Sequence, residues 1–234
     1  MWSALGCGHS LHLPRMMERL PRQRIADFYD GYIQRSYVRG KLASDPVYAA
    51  TAEALNGTAL PLLDIGCGIG LLGLYLHSQG ALPQYLGLDH DERKIYAGMI
   101  AVRRAGLEHV MELRQADAEA MPPVQGHVAL LDMLHYLSRD AQQSLLARSV
   151  QHLAPNGVLV IRSVLRNSSW RFHATRAEEV WLRLSGRIRG GAQHFPRAEE
   201  LSLPLEAAGL TVTIEPLFGS TPFNSYLVLA RRLS

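Results

Sequence analysis

Gly66, Gly68 and Gly70 recur at alternate positions directly behind Asp64, with Cys67 between the first two. Glycines so placed let the main chain turn tightly and approach a ligand where a Cβ would collide. Asp89, followed by His90, stands about 20 residues beyond that loop, the spacing of a carboxylate that accepts hydrogen bonds from ribose hydroxyls. Asp117, followed by Ala118, and Asp132 are two further carboxylates that each close an apolar run. Behind Asp132 comes Met133-Leu134-His135-Tyr136. An imidazole, with an ordinary pKa near neutrality, is suited to removing a proton. The chemistry these types allow is a nucleotide-type ligand held by main chain and carboxylates, with a base close by.

Such residues need strand ends to hold them. Leu62 and Leu63 end a buried strand ahead of the glycine loop, and Leu71, Leu72, Leu74, Tyr75 and Leu76 resume at helical spacing behind it. Strand, glycine loop and helix N-terminus in that order make a nucleotide-type site. Residues 84–88 predict a second strand ending at Asp89, residues 110–116 a third closed by Asp117, and residues 128–131 a fourth ending at Asp132. A helix over 139–153, the turn Pro155-Asn156-Gly157 and a fifth strand over 158–161 follow, then helices over 177–184 and 197–208. Two last apolar runs, 210–214 and 226–230, are separated by Pro216, Gly219, Pro222 and Asn224, which leave no room for a helix. Parallel strands need a long crossover, so these two should be antiparallel neighbours.

Each candidate also has a plainer reading. Asp89 could cap the helix that carries Ile95, Met99 and Val102, although Asp91 is the better-placed cap. Asp117 could be a solvated turn residue, His135 a cap for the next helix, and Tyr136 an ordinary packing side chain.

The loop itself excludes two ligand classes. A dinucleotide fingerprint needs its third glycine where Leu71 stands, and a P-loop needs a Gly-Lys-Ser/Thr ending that is absent. Asp64-Ile-Gly66-Cys-Gly68-Ile-Gly70 resembles instead motif I of the class I S-adenosylmethionine-dependent methyltransferases. Asp132-Met-Leu-His135-Tyr136 resembles motif IV of their small-molecule members, and Pro-x-Gly before the fifth strand is also usual there. The resemblance implies a doubly wound, Rossmann-like α/β fold with seven strands, mostly parallel with an antiparallel last strand. It implies S-adenosylmethionine as cofactor, bound by Asp64, Gly66, Cys67, Gly68, Gly70, Asp89, His90, Asp117, Ala118 and Asp132. Asp117 would approach the adenine amino group, and His135 and Tyr136 would lie beside the transferred methyl.

Ahead of the core, Ile25, Phe28, Tyr29, Tyr32 and Ile33 repeat at helical spacing, and Asp45-Pro46 starts a second helix. The organisation expected is a flexible segment over 1–20, a helical cap over 21–56 and the cofactor-binding domain over 57–234. In small methyltransferases such helices fold over the cofactor. Arg39 or Lys41 would then meet its methionine carboxylate, with Tyr29, Tyr32 and Tyr37 lining the acceptor pocket. The plainer alternative is an amphipathic helix with its charges in water.

The 234 residues suffice for one α/β domain with a short cap, and 47% hydrophobic content supports a packed core. Net charge is only +3, so no nucleic-acid partner is expected, and Arg22-Gln23-Arg24 and Arg187-Ile188-Arg189 read as solvated clusters. Two cysteines, Cys7 and Cys67, form no disulfide framework, and Cys7, His9 and His12 are too thin a set for a metal site. No apolar stretch is long enough to span a membrane, and residues 1–20 lack a signal-peptide core, so a cytoplasmic enzyme is expected. Met16 and Met17 lie just before the first periodic segment, so what precedes them reads as an over-long start.

A narrower resemblance concerns the two ends of the chain. Lys41-Leu-x-x-Asp45-Pro-Val-Tyr48 and residues 219–232 look like bacterial methyltransferases of aryl polyene and xanthomonadin-type pigment pathways. It implies a hydroxyaryl or aryl polyene acceptor, free or carrier-protein-bound, methylated at ring carbon or oxygen after His135 removes a phenolic proton. Arg162, Arg171, His173 and His194 could hold an acidic substrate group, with Phe223 and Asn224 as further pocket candidates. A methyltransferase acting on RNA or protein, and a non-catalytic S-adenosylmethionine-binding protein, remain the alternatives.

Overall fold

Apolar runs of four to eight residues between glycine- and proline-bearing turns become the strands of one sheet. A computed structural model of the chain describes residues 22–81, 84–118, 120–184, 191–219 and 224–232. The segment 1–20, with Cys7, His9 and His12, lies outside the described residues, as do Arg187 to Arg189 and Phe223. Five parallel strands, β1 (Leu62–Ile65), β2 (Tyr85–Asp89), β3 (Met111–Gln115), β4 (His127–Leu131) and β5 (Val158–Val164), are completed by β6 (Leu210–Pro216) and β7 (Ser225–Arg232). The order is β3-β2-β1-β4-β5-β7-β6, with β7 antiparallel to both its neighbours. The expected mostly parallel sheet closed by an antiparallel hairpin is therefore present.

Helices α3 (Leu71–Ser78), α4 (Glu92–Ala105), α5 (Arg139–Gln151), α6 (Trp170–Leu184) and α7 (Ala198–Ala207) connect these strands. Strands β1, β2 and β5 are buried along their whole length, as strands covered by helices on both faces must be. Edge strand β6 alternates instead, and shows the polar face of a one-sided strand. The core divides into two clusters, one around Tyr29, Leu55, Leu74 and Val160, the other around Leu63, Leu130, Leu145 and Leu201. The sheet order reverses between β1 and β4, and a ligand crevice forms at the carboxyl ends of strands on either side of such a switch.

The N-terminal segment departs from the single periodic helix expected over 25–33. Residues Arg22–Phe28 form a 3-10 helix, the chain turns at Tyr29 and Asp30, and α1 (Gly31–Ser44) starts afresh with Gly31 at φ 69°. The break splits the apolar repeat. Ile25 and Tyr29 are fully buried, whereas Tyr32 and Ile33 are each 83% exposed. A second helix, α2 (Val47–Leu55), follows with Pro46 at its N-cap, one residue later than Asp45-Pro46 suggested, and the Asp45 carboxylate accepts from the Val47 N–H at 3.1 Å. Tyr29 fixes this segment to the sheet by donating its hydroxyl to the Ile69 carbonyl in the glycine loop, at 3.0 Å.

Candidate functional site

A cavity of about 360 Å³ opens at the switch point, and each of its walls is a strand end. Ile65 and Gly66 contribute from β1, Leu88, Asp89 and His90 from β2, Ala116, Asp117 and Ala118 from β3, and Met133 and Leu137 from behind β4. Five of the residues singled out from the sequence, Gly66, Asp89, His90, Asp117 and Ala118, thus converge on one space. The apolar walls were not foreseen, because Leu88, Ala116, Met133 and Leu137 are indistinguishable from core residues in a sequence.

Gly66 is required twice over. Its φ is 79°, and a Cβ there would lie 3.0 Å from the Met133 Cβ. The loop is fastened from below: the Gly66 and Cys67 N–H groups donate to the Leu88 carbonyl at 2.7 and 3.0 Å. The buried Asp89 carboxylate fastens it from the side. Its Oδ2 accepts from the Gly68 N–H and its Oδ1 from the Asp91 N–H, both at 2.9 Å. Asp91 in turn caps α4 through the Arg93 N–H, so the capping role falls to Asp91 and leaves Asp89 its remaining lone pairs for the cavity. His90 lies at the rim, 79% exposed, with Nδ1 3.6 Å from Asp89.

Asp64 and Cys67 lie beneath the loop. Asp64 sits inside β1 rather than at its end, 2% exposed, and accepts the Tyr85 hydroxyl at 2.5 Å. Burial pushes its pKa up to about 7; the Tyr85 hydrogen bond opposes this and the nearby Asp89 adds to it. The Cys67 thiol is buried against β2, and burial raises its pKa. Gly70 turns the chain into α3 at φ 71°.

Asp132 follows β4 in the left-handed region at φ 56°. Its Oδ1 lies 3.1 Å from Nε of Arg162, a buried guanidinium on β5. Arg162 Nη1 also reaches both oxygens of Asp45, at 2.7 and 2.6 Å, and Lys41 Nζ meets Asp45 at 3.0 Å. Lys41 is therefore held in a network joining the cap to the turn behind β4, while Arg39 pairs with Asp27 on the exposed surface at 2.9 Å. Arg162, a candidate for holding an acidic substrate group, is instead the centre of that network. His135 and Tyr136 form a short 3-10 turn beside the cavity. The His135 ring stacks on Phe195 at 5.9 Å and approaches Tyr136 at 4.1 Å, and neither side chain belongs to the cavity walls. Ser138 caps α5, so His135 is not the helix cap. His194 pairs with Glu200 at 3.1 Å, the Arg171 guanidinium lies 4.4 Å from the Phe218 ring centre, and buried Asn224 donates to the Leu165 carbonyl. Among the described residues no group of three or more His, Cys, Asp or Glu could hold a metal ion, and no helix is long and apolar enough to cross a membrane.

The model of a methyltransferase domain matches residues 34–215. A ubiquinone biosynthesis O-methyltransferase from Sinorhizobium fredii is 29% identical over 186 residues, 77% of this chain and 71% of that one. Its counterpart from Rhodopseudomonas palustris is 31% identical over 69% of this chain and 62% of its own. Among solved structures, an O-methyltransferase family protein from Burkholderia thailandensis superposes with a TM-score of 0.67 at 19% identity, over 91% of this chain. The chain spans 60% of the length of that protein. The magnesium protoporphyrin IX methyltransferase of Synechocystis, solved with bound S-adenosylhomocysteine, gives 0.62 at 18% identity over 90% of this chain and 93% of that one.

Proposed function

The chain belongs to the methyltransferase domain family, as a class I S-adenosylmethionine-dependent enzyme, and we propose that it methylates the hydroxyl oxygen of a small hydroxyaryl acceptor. S-adenosylmethionine supplies a methyl carbon already activated by the sulfonium charge, so the protein's task is to align an acceptor and exclude water. The observation that carries the reading is the cavity at the ends of β1 to β4, whose size and walls suit such a group. Asp89 offers the ribose hydroxyls a carboxylate already braced by two main-chain N–H groups. His90 shields that edge. Leu88, Ala116 and Ala118 offer the adenine an apolar slot, with Asp117 at its rim. Gly66, Cys67, Gly68 and Gly70 form the main-chain cradle, Asp64 stiffens it from below, and the methionine end falls towards Gly66, Met133 and Asp132. The relatives named as O-methyltransferases support oxygen as the acceptor atom.

Calorimetric titration tests the cofactor. S-adenosylmethionine and S-adenosylhomocysteine are expected to bind with micromolar Kd and NADH to give no heat; uptake of NADH instead would sink the reading. We assign proton removal from the acceptor hydroxyl to His135, two residues beyond Met133. Its ring rests on Phe195, so the role requires the turn to re-orient when the acceptor enters. His135→Ala is expected to lower kcat about 100-fold, the scale of general-base catalysis, and to remove the acid limb of the pH profile. An unchanged kcat and pH profile would take His135 out of the mechanism.

A further inference from the structure

A second cavity, of about 370 Å³, lies between α1 and the chain leaving β6. Tyr37, Leu217 and Phe218 supply aromatic and apolar walls, and Lys41, Asp45 and Arg162 supply the charge. We infer that this cavity is the acceptor chamber, and that it selects an aryl acceptor bearing a carboxylate, which Lys41 recognises. The inference rests on the methyl-transfer reading above.

Position comes first. Arg162 forms part of this cavity and lies 3.1 Å from Asp132. The next residue, Met133, lines the cofactor cavity and abuts Gly66. The two cavities therefore flank one turn, Asp132 to Met133, which follows β4 and so lies away from the β3 end that carries Asp117 and Ala118. An aryl group seated between Tyr37 and Phe218 lies on the side where the methyl must leave. Phe218 is braced edge-on by Tyr226, with ring centres 5.5 Å apart. A small ring system fits the volume.

Charge selects the substituent. The two cations of the walls, Lys41 and Arg162, are balanced by Asp45 within them and by Asp132 behind Arg162. What an entering molecule meets depends on which of the wall charges is left open. Asp45 is 7% exposed and is covered by both Arg162 and Lys41, whereas the Lys41 side chain is 31% exposed. Arg162 is nearly as closed as Asp45, at 10%. Of the charged groups that line the cavity, the Lys41 ammonium is thus the one open to an entering molecule. Burial opposes that charge, but the carboxylates of Asp132 and Asp45 outweigh burial and hold its pKa above the ordinary lysine value. The ammonium stays protonated and donates from three hydrogens, of which Asp45 takes one. A carboxylate is the partner that completes it.

The test titrates protein saturated with S-adenosylhomocysteine with benzoate, 4-hydroxybenzoate and 4-hydroxycinnamate, each beside its methyl ester. At least one acid should bind ten-fold or more tightly than its ester. Lys41→Met should erase that preference, Lys41→Arg should keep it, and Lys41→Met should hold S-adenosylhomocysteine within three-fold of the unaltered protein. Equal binding of every acid and ester, or of none, overturns the inference. So does a Lys41→Met protein that keeps the acid preference and loses the cofactor product, since Lys41 would then serve the methionine carboxylate. Failure of the unaltered protein to bind S-adenosylhomocysteine, measured beforehand, strikes the methyl-transfer reading itself, so the two failures stay distinct.

Discussion

Asp89→Ala should weaken S-adenosylhomocysteine binding about 100-fold, because two charge-assisted hydrogen bonds to ribose hydroxyls are lost, each worth about 1.5–3 kcal/mol, and water repays part of the sum. The carboxylate does two jobs in the structure. It accepts the Gly68 and Asp91 N–H groups, so its orientation is set before any ligand arrives. Alanine removes the ribose partner and frees the glycine loop in one step. Asp89→Asn separates these roles. The amide keeps one oxygen acceptor, and its NH₂ faces a main-chain donor or a ribose hydroxyl, so a loss of about ten-fold is expected. Isothermal calorimetry with S-adenosylhomocysteine reads both variants, and thermal melts confirm that each is folded. An Asp89→Ala protein with the affinity of the parent would remove Asp89 from the ribose role and put the chemistry of the whole cavity in question.

That prediction was legible from sequence because its causes are local. Strand, glycine loop, helix, then an acid at the end of the next strand is a pattern set by backbone sterics and spacing, and the sheet preserves it from Leu62 to Asp89. The β6–β7 pair was legible for a similar reason. Pro216 and Gly219 deny the connection a helix, and antiparallel pairing is what remains. Longer-range features left no such trace. Arg162 meets Asp45 across 117 positions of sequence, and neither residue stands in a pattern that names the other. Periodicity also misled at the N-terminus. Ile25 to Ile33 keeps helical spacing, but the spacing cannot register that the chain turns at Asp30 and throws Tyr32 and Ile33 into solvent. Tyr29 consequently braces the glycine loop, and Tyr37 alone of the three tyrosines reaches the second cavity. The same limit applies to Asp64. An aspartate before a glycine loop reads as a strand-end ligand, and its neighbour Tyr85 is revealed only by the β1–β2 register, which sets Leu62 beside Tyr85.

Arg162→Met should cost about 3–5 kcal/mol of stability at neutral pH, the penalty for breaking a buried ion pair from one side. The methionine replaces the stem of the side chain, so lost packing is a minor part. The main cost is Asp45, 7% exposed, left with Lys41 as its remaining cation. The pH dependence carries the diagnosis. Burial drives the Asp45 pKa up, but the Arg162 charge and hydrogen bonds, then those of Lys41, more than cancel it and hold the group below the ordinary carboxylate value. A folded-state pKa held below the unfolded one contributes stability that is present above the unfolded value and is lost as pH falls through the folded value. Without Arg162 the burial effect dominates, Asp45 takes up a proton more readily, and its cost falls as it does so. The deficit of Arg162→Met should therefore shrink between pH 7 and pH 4. Adding Asp45→Leu to Arg162→Met should recover most of the loss at pH 7, since an apolar pair of similar volume needs no counter-charge. Urea denaturation at several pH values measures all three proteins. A deficit under about 1 kcal/mol, or one that is flat from pH 7 to pH 4, would show that Arg162 is solvated in solution and does not tie the cap to the turn behind β4.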